Sequence, residues 1–224
     1  MPAPEILHRP HDTRPALGHV NLMIDTFIAN ASAEEYVSRL AIKGYKQVTR
    51  FYSLRSIARN LLATGPPGIV PAFTNAARSR LRQTNAKVVP STSSLFRRQA
   101  HDAPSAPTQH LYDTLARARS TYGAGMGFAS LGILTSIIRA TVGLRWEDDG
   151  DMADILAVID ADIGQAIQSS KEEIEGGRIT DFLSARRVVN DLRSALNESM
   201  TDVHSWGGEF PFERASASIQ YWKL

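Results

Sequence analysis

Apolar positions follow a helical spacing most clearly in the C-terminal half of the chain. Over 152–174 they lie three or four residues apart, which predicts one long amphipathic helix. A second such row over 182–203 predicts another helix, with Thr180 as its N-cap and Asp181 in its first turn. The tail beyond Gly207 is rich in aromatic residues, so we expect it to pack on its own helices or on a neighbouring molecule.

The N-terminal half shows a less regular pattern. Ser32 and Glu35 form a capping box ahead of an apolar stripe, which predicts a helix that ends near Ala63, before the Gly-Pro-Pro-Gly run. Six prolines between residues 65 and 108 predict a linker or arm, within which 75–83 is a candidate short helix.

Two further helices are predicted over 111–120 and 128–144, separated by glycines at 123, 125 and 127. The spacing of Gly125, Gly127 and Ser130 is similar to a dinucleotide-binding loop, but no predicted strand precedes it, so we set the nucleotide interpretation aside. The segment 123–144 is apolar but contains five glycines, several hydroxyl residues and Arg139, so we do not expect a membrane span.

These elements predict an all-α protein, an antiparallel helical bundle with an extended N-terminal arm. The four expected regions are an arm over 1–30, a basic helix over 31–64, the linker over 65–108, and a bundle core with its tail over 109–224.

Charge divides the chain into two parts of opposite sign. Residues 1–146 contain 18 Lys and Arg against 7 Asp and Glu, whereas 147–224 contain 7 against 16. The stretch 36–101 has 12 basic residues and no acidic one. Such a segment favours a polyanion, an anionic membrane surface or an acidic protein as partner. Because the two ends are complementary, another copy of the chain is also a candidate partner, in a head-to-tail contact.

Signals for catalysis are weak. The chain has no cysteine, and its histidines lie far from any serine-glycine elbow. The acidic cluster at 147–154 is typical of a magnesium site in isoprenoid synthases, although carboxylates before a helix more often interact with its dipole. We therefore expect no enzyme activity, no metal and no cofactor.

Four C-terminal features occur in a fixed order, namely the helix from Asp154, the acidic corner 172–177, the segment 179–197 and the tail 211–222. Together they resemble the coat proteins of rod-shaped, tobamovirus-like plant RNA viruses, over roughly 70 of the 224 residues. The resemblance implies a four-helix coat-protein fold that assembles helically around single-stranded RNA, in virions and in the host cytoplasm.

The resemblance also assigns roles to residues. It implies an inner loop whose carboxylates repel each other between stacked subunits, at Glu172, Glu173 and Glu175. It further implies a structural motif that consists of Phe212, Glu213 and Trp222.

Arginine suits non-specific RNA binding, because its planar guanidinium pairs with phosphate and stacks on bases. The candidate RNA-binding residues are Arg178, Arg186, Arg187, Asn190 and Arg193. Arg187 and Asp191 are four residues apart, so they are alternatively a salt bridge. Two alternative functions remain. One is a non-catalytic subunit of a large complex, with a membrane surface as one of its candidate settings, and the other is an isoprenoid-type enzyme.

Overall fold

A computed structural model describes residues 17–30, 47–84, 91–97 and 105–224. These residues are mostly helical, which confirms the all-α class. The helices are α1 (Leu17–Asn30), α2 (Gln47–Thr64), α3 (Ile69–Gln83), α4 (Gln109–Gly123), α5 (Gly127–Thr141), α6 (Asp151–Glu175), α7 (Phe182–Ser205) and α8 (Glu213–Gln220). A 3-10 turn (Thr92–Ser94) precedes a short antiparallel pair of strands, β1 (Phe96–Arg97) and β2 (Ala106–Pro107).

Helix α5 lies at the centre of the main core. Ten of its fifteen residues are buried, and it packs against α4, α6 and α7. Leu131, Ile133, Leu134, Ile137 and Ile138 are completely buried. Gly132, Ser136 and Arg139 lie on the opposite side, which is less buried. The buried apolar face is wide enough for three helices to pack against it.

A second, smaller core joins α1 and α3 to the turn between α4 and α5. Ile24, Phe27 and Ile28 of α1 pack there with Ala77 and Leu81 of α3. The arm expected over 1–30 is therefore wrong for residues 17–30, which form a helix in which Met23, Ile24, Phe27 and Ile28 are buried. Residues 1–16 lie outside the described residues.

The expected linker over 65–108 also contains more structure than its prolines indicate. Helix α3 begins at Ile69 rather than Asn75, and Pro71 lies within its first turn. The backbone N–H groups of a first turn have no partner inside the helix, so proline is tolerated there. Downstream, Leu95 and Phe96 are buried in the main core.

Most of the other boundaries are close to the predicted ones. α2 ends at Thr64, as the Gly-Pro-Pro-Gly run indicated, whereas the Ser32–Glu35 capping box lies outside the described residues. The N-cap of α7 is Asp181 rather than Thr180, and its side chain accepts a hydrogen bond from the backbone N–H of Ser184 at 3.0 Å.

The aromatic tail packs on its own helices. Phe212 and Trp222 are buried in the main core, and the ring of Trp222 lies 5.9 Å from that of Phe128. Asp160 of α6 accepts a hydrogen bond from the backbone N–H of Ala215 at 2.8 Å, which anchors α8. Glu213 is exposed, so its assignment to the structural core is wrong. It lies in the first turn of α8, where a carboxylate interacts favourably with the helix dipole.

The described helices include none that is both long and apolar enough to cross a lipid bilayer.

The turn at 123–127, which we call the glycine turn, is held by close backbone contacts. A Cβ on Gly123 would lie 2.6 Å from the backbone nitrogen of Phe27 in α1. A Cβ on Gly127 would lie 2.3 Å from the backbone nitrogen of Ser170 in α6. The close approach of α1 and α6 to the turn therefore explains why glycine is required at these two positions.

Gly127→Ala is expected to lower the free energy of unfolding by about 1–3 kcal/mol, because α5 and α6 have to move apart. Gly132→Ala is the matched control on the same helix, since a Cβ there has no described neighbour within 4 Å. It should be neutral or stabilise by up to about 1 kcal/mol. Urea unfolding of both variants measures the difference, and equal stabilities would contradict the close-packing explanation.

Candidate nucleic-acid interface

Helix α6 ends in a turn that directs Arg178 back towards the body of the protein. Gly177 has φ +64°, its N–H bonds the carbonyl of Ile174 at 2.8 Å, and the N–H of Arg178 bonds the carbonyl of Glu173 at 3.0 Å. This pair of bonds is the Schellman motif, in which glycine adopts the left-handed conformation without strain.

The three corner carboxylates therefore lie in the last turn of α6, not in a loop. Glu172 accepts a hydrogen bond from Gln168 at 3.2 Å, and Glu173 accepts one from the backbone N–H of Phe128 at 3.3 Å. Glu175 is exposed. Glu172 and Glu173 thus have hydrogen-bond partners within the molecule.

Arg178 lies beside an arginine from a distant part of the chain. A Cβ built on Gly125 would lie 3.3 Å from Nη1 of Arg78 and 3.5 Å from Nη2 of Arg178. Arg78 is half-buried, and its Nη1 donates a hydrogen bond to the carbonyl of Ala124 at 3.0 Å. The glycine turn thus brings one arginine of the acid-free stretch next to one that follows α6.

The electrostatics of this group are those of crowded positive charges. Burial, together with the charges of Arg178 and Arg82, lowers the pKa of the Arg78 guanidinium, whereas Glu173 opposes this shift. Arg82 lies one turn beyond Arg78 on α3 and is exposed. We call Arg78, Arg82 and Arg178 the arginine cluster.

Two of the other predicted RNA-binding arginines bind the tail instead. Arg186 donates from Nε to the carbonyl of Leu224 at 3.1 Å, and Arg193 donates from Nη2 to the carbonyl of Ile219 at 3.2 Å. Asn190 accepts a hydrogen bond from Arg193 at 2.8 Å, which orients the guanidinium. Arg186, Asn190 and Arg193 therefore stabilise the tail on α7, so the structure does not bring them together with Arg178.

The alternative salt bridge between Arg187 and Asp191 is wrong. Asp191 forms its ion pair with Arg139 of α5, with 2.6 Å between Oδ1 and Nη2. Arg187 is exposed near the start of α7, where its charge helps to lower the pKa of Asp181 after the larger effect of the Ser184 hydrogen bonds.

Part of the charge division is neutralised within the molecule. Arg119 pairs with the buried Asp162 at 2.8 Å, and the hydroxyl of Tyr122 donates to the same carboxylate at 2.9 Å. Arg145 pairs with Asp202 at 3.2 Å. Acidic residues of α6 and α7 thus balance arginines of α4 and of the loop after α5. In the same way Arg59 of α2 pairs with Asp25 of α1 at 2.7 Å.

The acidic cluster at 147–154 does not gather into a metal site. Glu147, Asp148 and Asp149 are exposed ahead of α6, and Asp151 and Asp154 lie in its first turn. Among the described residues, no group of three or more acidic or histidine side chains is placed to hold a metal ion.

The sequence pattern identified only part of the arginine cluster in advance. Arg178 was predicted individually, whereas Arg78 and Arg82 were recognised only as members of the acid-free stretch. Their spacing of four residues, next to the apolar Ala77 and Leu81, is the signal that could have placed both on one edge of a packed helix.

No protein-family model matches this chain, and no curated protein or solved structure is significantly similar to it.

The pairing of Asp191 can be measured with two double-mutant cycles. Arg139→Ala and Asp191→Ala should show a coupling of about 0.2–1 kcal/mol, the range for solvent-exposed pairs. Arg187→Ala and Asp191→Ala should show none within error. A larger coupling energy in the second cycle would contradict this pairing and show that Asp191 pairs with Arg187.

Arg193→Ala should loosen the tail without unfolding the rest of the protein. Loss of one hydrogen bond of about 1 kcal/mol predicts amide exchange at 219–222 that is about fivefold faster. Arg187→Ala is the control from the same helix, and it should leave exchange in the tail unchanged. Unchanged protection in the Arg193 variant would show that packing of Trp222 alone holds the tail.

Proposed function

We propose that this protein is a structural capsid subunit that assembles helically around single-stranded RNA and binds its phosphate backbone without sequence specificity. The observation that carries the proposal is the arginine cluster, in which the acid-free stretch meets the turn after α6. A coat protein has to bind every part of a genome equally, so it has to recognise phosphate rather than bases.

The geometry of the cluster suits this task. Arg82 and Arg178 are exposed, and Arg78 is held in place by the carbonyl of Ala124. Guanidinium groups fixed next to one another bind phosphate oxygens through two parallel hydrogen bonds each, at a smaller entropic cost than flexible lysines. The repulsion between the arginines decreases when a phosphate lies between them.

The helical core supports the finer fold proposal of a four-helix bundle like that of tobamovirus-like coat proteins. Four consecutive helices, α4 to α7, share one core and are joined by short connections. The arrangement leaves α1 and α3 packed at one end, around the glycine turn. In this proposal the N-terminal helices are additions to the bundle that contribute to RNA binding.

Self-assembly follows from the remaining charge. Helices α2 and α3 contain no acidic residue, whereas the segment 147–154 presents exposed carboxylates. Contacts between these two surfaces of successive copies would be heterologous, and such contacts generate rings or open helices. The proposed assembly is therefore a head-to-tail polymer rather than a two-fold dimer.

The test is electron microscopy of the purified protein with and without single-stranded RNA, at low and high salt. RNA should lengthen or stabilise rods, and its effect should weaken as the salt concentration rises. A protein that stays a monomer or dimer and is indifferent to RNA would overturn the proposal and favour a subunit of a larger complex.

Arg178→Ala should weaken RNA binding and reduce the slope of log K against log salt by about 0.7, the value for one phosphate contact on a single strand. Arg214→Ala on α8 is the matched control, since this arginine is also exposed but is not part of the arginine cluster. Fluorescence anisotropy with a short homopolymeric RNA measures both. Equal losses in the two variants would indicate a general charge effect and not binding at the cluster.

A further inference from the structure

The position of Gly125 differs from that of the other two glycines in the turn. Gly123 and Gly127 have to be glycine because backbones approach them closely. Gly125 has φ +74°, and the described atoms within 4 Å of a Cβ built there are guanidinium nitrogens of Arg78 and Arg178. The middle of the turn therefore faces two positive charges instead of packed backbone.

An acidic group of the protein is already present at this place. The carboxylate of Glu173 accepts a hydrogen bond from the N–H of Phe128, in the first turn of α5, and its charge acts on Arg78. A carboxylate at the beginning of a helix has the same charge sign and the same acceptor oxygens as a phosphate. Glu173 thus supplies a negative charge that acts on Arg78.

One internal carboxylate does not balance this group of charges. Arg78, Arg82 and Arg178 together carry three positive charges, and their mutual effect on Arg78 exceeds the opposing effect of Glu173. The positive charge beside the half-buried Gly125 favours a further anion.

We propose that Gly125, Arg78 and Arg178 form a binding site for one backbone phosphate of RNA, and that Glu173 competes with this phosphate for the guanidinium groups. The inference deepens the proposed function and rests on it. It adds that the affinity for RNA is limited by a carboxylate of the same molecule, so that neutralising this carboxylate strengthens binding.

The decisive variant is Glu173→Gln. Its amide oxygen can still accept the hydrogen bond from Phe128, so α5 keeps its first turn, and a thermal melt checks that the fold is retained. We expect it to bind a short single-stranded RNA about two- to fivefold more tightly than the parent chain, the effect of removing one charge of a partly exposed pair. Glu175→Gln, which neutralises an exposed carboxylate on the same turn of α6, should change affinity by less.

The gain should depend on the arginines. In an Arg178→Ala background, Glu173→Gln should produce less tightening, because one of the two guanidinium groups for which phosphate and carboxylate compete has been removed. Arg178→Lys keeps the charge but loses the paired hydrogen bonds, so it should restore only part of the affinity.

The outcomes separate the two proposals. If Arg178→Ala weakens RNA binding but Glu173→Gln leaves it unchanged, the competition is overturned and the RNA-binding function stands. If Arg178→Ala has no effect on RNA binding, the arginine cluster is not the RNA interface. RNA binding by the cluster and competition by Glu173 are then both overturned. If millimolar inorganic phosphate stabilises the protein in a thermal melt and RNA does not bind, the anion is a free phosphate and the proposed RNA source is overturned.

Discussion

The structure depends on the burial of α5 between three other helices. Ten of its fifteen residues are buried, and α4, α6 and α7 cover this apolar surface, whereas Arg139 stays exposed on the remaining side. Its burial places the ends of three helices next to one another, and the loops that join them become neighbours as a consequence. The candidate interface lies at one such place, where the turn between α4 and α5 meets the end of α6.

Close backbone contacts determine the detailed geometry at that place. Gly123 lets α1 approach α4, and Gly127 lets α5 approach Ser170 of α6. Because α1 in turn carries α3, through the small core around Phe27 and Leu81, the arginines of α3 arrive beside the turn. The glycines that were similar to a nucleotide loop thus act mainly through packing, and only Gly125 faces charged groups.

Two groups of the described arginines have different surroundings. Arg119, Arg139 and Arg145 pair with carboxylates of α6 and α7. Those of the arginine cluster are crowded together, and the internal carboxylate near them does not cancel their charge. This difference is what distinguishes a structural use of arginine from a surface suited to an external polyanion.

Sequence periodicity alone determined the long helices, since the apolar spacing over 152–174 and 182–203 reflects which face of each helix is buried. It also determined the burial of Phe212 and Trp222, because so apolar a tail has to avoid water.

Tertiary structure alone decided the partners of the charged residues. Arg186 and Arg193 bind tail carbonyls, and Asp191 binds Arg139, because each side chain meets groups from distant segments. Only the second half of helix α3 was predicted, over 75–83, since Pro66, Pro67 and Pro71 obscured its first half, which begins at Ile69. The arginine cluster depends on both sequence and tertiary structure. The sequence supplies the charges, and only the packing of α1, α3 and α6 around the glycine turn brings them together.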